Sequence, residues 1–274
     1  MNKGWTYYNH AMVPTCAPHE VPDLMPIKDK SIWKSGGGGT PLLARWTTDW
    51  DCGYETSFWA VIKDDEYDIS KLKAKRRYEI TKGRRNFEVR RIEAKDYGED
   101  IWNVAVEAFS AYPEAYRPVL HHDSFVDGLM SWKDDNVYGA FRKEDGAMCG
   151  YAMLEVHDSY IAFSVQKTKP ENERDGINAA LVDGILSDLV AELAGGKYIL
   201  DGFRPVNHQT AFQDYLEKYF DFRKAYCKLH IAYNPKIRWT MPILWKLRNV
   251  IKKHDGHLAH QINAVLQMEA ISRE

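Results

Sequence analysis

The stretch "SYIAFSVQKTKPENERDGINAALVDGIL", residues 159–186, decides the fold. It opens as an apolar strand, crosses a polar loop holding Gly176, and ends in a run with helical spacing. Ile177, Leu181, Ile185, Leu189 and Leu193 recur every four residues until Gly195–Gly196, a glycine pair that signals a helix C-cap. Strand, glycine-bearing loop and helix start, in this order, can present backbone N–H groups to a phosphate. The first helical amides lack internal acceptors, and the helix dipole favours negative charge there. The same pattern also describes an ordinary helix start, so both readings stand.

Before this stretch, "NVYGAFRKEDGAMCGYAMLEVHDSYIAFSVQ" reads as three antiparallel strands, turning at Asp145–Gly146 and Asp158–Ser159. They are preceded by the strand "NFEVRRIEA", by "YGEDIWNVAVEAFSAY" and by a shorter helix, "DSFVDGLMSW". In the middle segment Ile101, Val104, Ala105, Ala108 and Phe109 form one helical stripe. After it come the strand "KYILDGF", the helix "HQTAFQDYLEKYF" and the strand "KAYCKLHIAY". Two amphipathic helices close the chain. The first starts at Pro242 with Ile243, Leu244, Leu247, Val250 and Ile251 on one face, and the second runs from Leu258 through Ile262, Val265 and Leu266.

At the other end, residues 1–41 are rich in Pro and Gly and read as loop-dominated. The run Gly36–Gly39 lacks the lysine of a phosphate-binding P-loop. Two short strands are expected around a turn near Asp51–Gly53. A helix, "SKLKAKRRYEITKG", follows, capped by Asp68 or Ser70 and ended by Gly83. The division expected is an N-terminal extension over 1–86, a core over 87–234 and helical tail residues 235–274.

The 274 residues are 45% hydrophobic and 28% charged, with a net charge of −2, the profile of a globular chain without bulk attraction to nucleic acid or anionic lipid. Cys16, Cys52, Cys149 and Cys227 are scattered, with no CxxC pair, so zinc and redox motifs are unsupported. Neither a signal-peptide h-region nor an apolar run of ~18 residues is present, and the expected compartment is the cytoplasm.

The order over 87–234, strand, two helices, three meandering strands, helix, strand, helix, strand, resembles the GNAT acyltransferase superfamily. That resemblance implies an α/β (α+β) fold with a mixed, mainly antiparallel central sheet flanked by helices. It also implies acetyl-CoA or another acyl-CoA as co-substrate, bound beside the fourth strand and the helix after it. The family's Gln/Arg-x-x-Gly-x-Gly/Ala loop corresponds to "ERDGINA": Gly176 fits, Glu173 stands where Gln or Arg is usual, and Asn178 takes the second small position. Arg174 offsets the charge of Glu173. The later "FRPVNHQTAFQDYLEKYFDF" supplies counterparts of the family's Asn, Ala and Tyr in Asn207, Ala211 and Tyr215.

On this resemblance Val165 and Gln166 meet the acyl carbonyl, while the backbone of Gly176, Ile177, Asn178 and Ala179 takes the pyrophosphate. Asn207 holds the coenzyme arm or caps the next helix. Tyr215 protonates the leaving thiolate or is a core tyrosine. Glu155 or Asp201 serves as general base, unless each simply faces solvent or pairs with a lysine. The acceptor implied is a small or carbohydrate-linked amine that attacks directly.

Residues 59–92 resemble the first segment of GNAT-like proteins related to the Fem peptide-bridge aminoacyltransferases, through "DISKL" and an arginine-rich helix. The Fem likeness implies aminoacyl-tRNA as donor. Lys71, Lys73, Lys75, Arg76, Arg77, Lys82, Arg84, Arg85, Arg90 and Arg91 make this the densest charge in the chain. They form a solvated helix face or meet an anionic ligand, with a small phosphorylated one ranked above tRNA. His121–Asp123 and the His254, His257, His260 series lack a zinc-like ligand set, so no metal is expected. The helix "PILWKLRNVIKK" could rest on a membrane, pack on its own domain or join a homodimer. Three functions remain: an acyl-CoA-dependent N-acyltransferase, a non-catalytic GNAT-like shell that binds a ligand or partner, and a Fem-like transferase.

Overall fold

A computed structural model describes residues 4–34, 39–114, 117–132, 137–206, 211–251 and 257–274; at 257, 258 and 260 the description stops at the backbone. The chain begins with strands β1 (Trp5–Tyr8) and β2 (Ala11–Pro14), a short helix α1 (Met25–Lys28), and strands β3 (Leu43–Thr48) and β4 (Phe58–Lys63). Helix α2 (Ala74–Asn86) runs directly into β5 (Phe87–Arg91). Helices α3 (Gly98–Ser110) and α4 (His122–Leu129) precede the meander β6 (Val137–Arg142), β7 (Met148–Val156) and β8 (Tyr160–Thr168). The order then runs α5 (Ile177–Asp188), α6 (Val190–Ala194), β9 (Tyr198–Phe203), α7 (Ala211–Phe220), β10 (Arg223–Tyr233), α8 (Met241–Ile251) and α9 (His257–Ser272).

These elements form two compact units that alternate along the sequence. Unit 1 holds Met1–Val61, Phe203–Ala211 and Lys224–Glu274, and unit 2 holds Ile62–Gly202 and Phe212–Arg223. The boundaries expected at 86/87 and 234/235 do not coincide with this division. Helix α2 is part of unit 2, and most of β10 is part of unit 1.

In unit 1, β1 and β2 form an antiparallel hairpin, β2 runs parallel to β3, and β3 pairs antiparallel with β10. The loop-dominated start expected over residues 1–41 thus carries two four-residue strands. "WTYY" and "AMVP" are too short to show strand periodicity, and Trp5, Met12, Ile32 and Ala44 bury them as one cluster. The segment around Asp51–Gly53 is a turn but not a hairpin, because β10 lies between β3 and β4. A second cluster joins Phe58, Cys227, Leu229 and Ile271.

In unit 2, β5, β6, β7 and β8 pair antiparallel in succession, and β9 joins β8 in parallel. Alternation along β6 sends its side chains to opposite faces. Val137 and Phe141 join Ile101, Val104 and Ala105 of α3 and Leu129 of α4 in the core cluster. Tyr138 faces the other way, its hydroxyl donating to Asp188 of α5 at 2.7 Å. A mainly antiparallel sheet carrying helices on its faces is the fold class expected from the sequence.

Helix α2 does not stop at Gly83 but passes through it to Asn86. The glycine is needed for packing: a Cβ there would lie 2.6 Å from the Gly176 carbonyl oxygen and 2.9 Å from the Ala180 nitrogen. Helix α2 thus lies directly against the start of α5. Beside this contact, buried Asp183 accepts from Arg84 at 2.6 and 2.8 Å and from the Tyr67 hydroxyl at 2.6 Å.

Candidate acyl-transfer site

Strands β8 and β9 pair through Tyr160↔Tyr198, Ile161↔Ile199 and Ala162↔Leu200 and have no ladder pairs beyond that. The reason lies on the other edge of β8. Met153 opposes Val165 while Leu154 opposes Phe163, so Ser164 is an extra residue, a bulge. Bulges bend a strand and increase its local twist, which turns the far half of β8 away from a straight neighbour. The parting leaves a cavity of about 300 Å³ lined by Tyr112, Phe163 to Thr168, Asn178, Asp201 and Phe212.

Asp201 is the chemically distinctive group in this cavity. Burial raises its carboxyl pKa to about 7, against a smaller lowering effect of the Gln213 side chain. Gln213 also donates to the Asp201 carbonyl oxygen at 3.0 Å, which ties β9 to α7. A carboxyl with this pKa is divided between its two protonation states near neutrality, as a general base requires.

Gln166 lines the cavity, and its Oε1 is enclosed with no hydrogen-bond partner among the described residues. Such an atom is costly to leave unmet, and it marks a place where a ligand donor fits. Asn178 also lines the cavity, its Oδ1 accepting from the Thr168 hydroxyl at 3.0 Å. Val165 is half-buried and packs partly on the α3 core. Lys167 was not among the residues singled out from sequence. Its ammonium donates to the Tyr112 hydroxyl at 3.1 Å and sits 4.7 Å from the Phe109 ring centre. The only sequence signal was its neighbour Gln166, since the aromatic pair that holds it comes from a distant helix.

The other sequence-derived residues fall elsewhere. Glu155 is exposed and does not line the cavity, but its carboxylate accepts from Ser164 Oγ at 3.1 Å and lies 3.6 Å from His157 Nε2. Tyr215 packs among Phe212, Tyr219 and Phe220, outside the cavity lining, and burial raises its pKa. Asn207 lies outside the described residues. Of the two bases considered, the geometry brings only Asp201 to the parting.

The turn before α5 is left-handed at Gly176, with φ of 86°. Its amide donates to the Glu173 carbonyl oxygen at 3.1 Å, so the backbone rather than the Glu173 side chain occupies it. On its other side the Gly83 backbone lies 3.0 Å from where a Cβ would project. Ile177 and Ala179 are buried, whereas Arg174 is exposed. Lys82 donates to the Arg174 carbonyl, and Asn86 Nδ2 to that of Asp175 at 3.0 Å. The glycine is therefore explained by helix packing without any phosphate.

Much of the basic segment is committed internally. Arg76 pairs with Asp221, Arg84 with Asp183 and Arg91 with Asp188; Arg77 binds the carbonyls of Ser70 and Leu72, and Arg90 stacks on Phe141. Lys71, Lys73, Lys75 and Arg85 make no ion pair among the described residues. His122 pairs with Glu99 at 2.9 Å and Asp123 at 3.0 Å, an exposed arrangement.

No family model and no curated protein matches the chain. Among solved structures, the C-terminal domain of a lysylphosphatidylglycerol synthetase from Agrobacterium fabrum aligns over 89% of this chain and 84% of its own, with 12% identity and a TM-score of 0.53. L-PGS from Bacillus licheniformis aligns over 96% and 84%, with 13% identity and a TM-score of 0.50. A GCN5-related N-acetyltransferase from Sphaerobacter thermophilus aligns over 70% and 59%, with 11% identity and a TM-score of 0.42. Likeness at such identities is one of fold alone, and the mainly antiparallel sheet of unit 2 with helices on its faces is of the GNAT-like class.

Proposed function

We propose that unit 2 transfers an acyl group from an activated donor to an amine, at the place where β8 and β9 part. The observation that carries this reading is the Asp201 carboxyl, with its pKa of about 7, set in the lining of that parting. The acceptor nitrogen attacks the donor carbonyl directly and forms the new C–N bond. Asp201 takes the nitrogen's proton, and the bond from the carbonyl carbon to the leaving group breaks as that group is protonated. Unpaired backbone of β8 past Ala162 is the natural donor to the carbonyl oxygen. The acceptor is a small or carbohydrate-linked amine.

For the donor, an aminoacyl ester on tRNA is favoured over acyl-CoA. The Gly176 amide is already bound within its own loop and is backed by Gly83, which leaves little of a pyrophosphate cradle. One protein of like fold, that from Agrobacterium fabrum, carries a name denoting lysyl attachment to phosphatidylglycerol, which supports an aminoacyl group. The acyl-CoA reading keeps one observation in its favour: Asn178, in the first turn of α5, lines the cavity.

The test uses the full chain with tRNA charged with labelled amino acids, and separately with acetyl-CoA, each with a panel of amines. The expected result is transfer of label from tRNA above spontaneous hydrolysis, lost in Asp201→Asn. Thiol release from acetyl-CoA without tRNA deacylation reassigns the donor to the coenzyme. Neither activity, in protein that is folded, overturns the transferase reading in favour of a ligand-binding shell.

A further inference from the structure

Helix α8 of unit 1 has apolar side chains on two faces, and among the described residues only one of them is used internally. Met241 is buried and Leu244, Trp245 and Ile251 are half-buried, with the Arg273 guanidinium of α9 lying 4.3 Å from the Trp245 ring centre. Ile243, Leu247 and Val250, at spacing i, i+4, i+7, are 54%, 47% and 56% exposed, and Trp239 just ahead of the helix is 68% exposed. Monomeric proteins seldom leave so many large apolar side chains together in water without an interaction to make.

The charges around this face identify the partner. From Pro235 to Ile251 the chain carries Lys236, Arg238 and Lys246, with Arg248 turned onto the Trp245 ring at 4.6 Å, and no Asp or Glu, although the whole protein is slightly acidic. A second copy meeting this face across a two-fold axis would set the same basic residues against each other. Nucleic acid would match the charge but not the exposed Ile, Leu and Val. An anionic bilayer surface matches both, because apolar side chains enter the acyl boundary while lysine and arginine meet the headgroups. The exposed Trp239, with its indole N–H donating to the Lys236 carbonyl at 2.9 Å, has the amphipathic form favoured at that boundary.

We infer that α8 and the turn before it dock unit 1 on the surface of membranes containing anionic phospholipid, lying in the plane of the interface. The helix is too short to span a bilayer, and no described helix is long and apolar enough to do so. This inference is independent of the donor and acceptor of unit 2.

The test is sedimentation of the full chain with vesicles of phosphatidylcholine alone and of phosphatidylcholine mixed with phosphatidylglycerol. Binding is expected with the mixed vesicles only and is weakened by salt. The variant Ile243→Ser/Leu247→Ser/Val250→Ser, whose changes lie on exposed positions, should lose about tenfold or more in partitioning while its circular dichroism and melting temperature hold. A second variant, Arg238→Gln/Lys246→Gln, should lose the preference for anionic vesicles. Absence of binding to the mixed vesicles, or equal binding by the triple variant, overturns the inference. So does a dimer, seen by light scattering, that the triple variant dissolves without any vesicle binding by the parent protein.

Discussion

At the residue scale, the proposed transfer turns on Asp201. With its pKa near 7, the base form falls about tenfold for each pH unit below that value, and the transfer rate should fall with it. A pH–rate profile flat from 5 to 8 would remove Asp201 as the base. Asp201→Asn should lower turnover by roughly 10²–10⁴-fold, measured on protein whose fold is verified. Stability gives a second readout with a definite sign. Between the unfolded carboxyl pKa and about 7 the folded chain binds the extra proton, so this group's contribution weakens the fold as pH rises through that window. Asp201→Asn should therefore raise the melting temperature more at pH 8 than at pH 5, a difference that a solvent-exposed carboxyl would not produce. The sequence placed this aspartate at the end of a strand beside a plausible site. It could not separate it from Glu155, because burial is set by α7 and β8 rather than by neighbours in the chain.

At the element scale, the contact of α2 with the first turn of α5 fixes the Gly176 loop. Gly83→Ala gains helix propensity, yet its methyl would meet the Gly176 carbonyl and the Ala180 nitrogen. We expect a net loss of about 1–3 kcal/mol in denaturant unfolding. Equal or greater stability would show that the two helices part readily. Arg84→Gln removes both guanidinium bonds to buried Asp183 and leaves only the Tyr67 hydroxyl. Since Arg84 itself is half exposed, the expected cost is about 2 kcal/mol, well below that of breaking a fully enclosed pair. The helical and strand periodicities announced α3 and the meander correctly, but the single helix expected to run to Gly195 is divided at Leu189 into α5 and α6. Gly83 misled because a glycine in a basic run has the same local signature whether it ends a helix or admits a neighbour.

For the whole molecule, charge is nearly balanced, with 37 basic and 39 acidic residues, so long-range steering of a polyanion is weak. Within the basic segment, Arg76, Arg84 and Arg91 are held by carboxylates, whereas Lys71, Lys73, Lys75 and Arg85 make no ion pair among the described residues and are the candidates to meet the proposed tRNA donor. If these four supply the contacts, the slope of log affinity against log salt should be no steeper than about −4. Lys73→Gln/Lys75→Gln/Arg85→Gln should flatten it without loss of thermal stability. A slope unchanged by these substitutions would move the tRNA contact elsewhere.

The sequence by itself determined the alternation of strands and helices from residue 87 onward, the glycine turn before α5, and the amphipathic character of α8. Each is written in spacings of two to four residues, which the backbone geometry of strand and helix imposes locally. Only the tertiary structure decided that β8 parts from β9 beyond Ala162, that Asp201 titrates near neutrality, and that Gly176 serves Gly83. It also decided which face of α8 stays in water. Those outcomes depend on desolvation and close approach between residues far apart along the chain, quantities that local spacing does not encode.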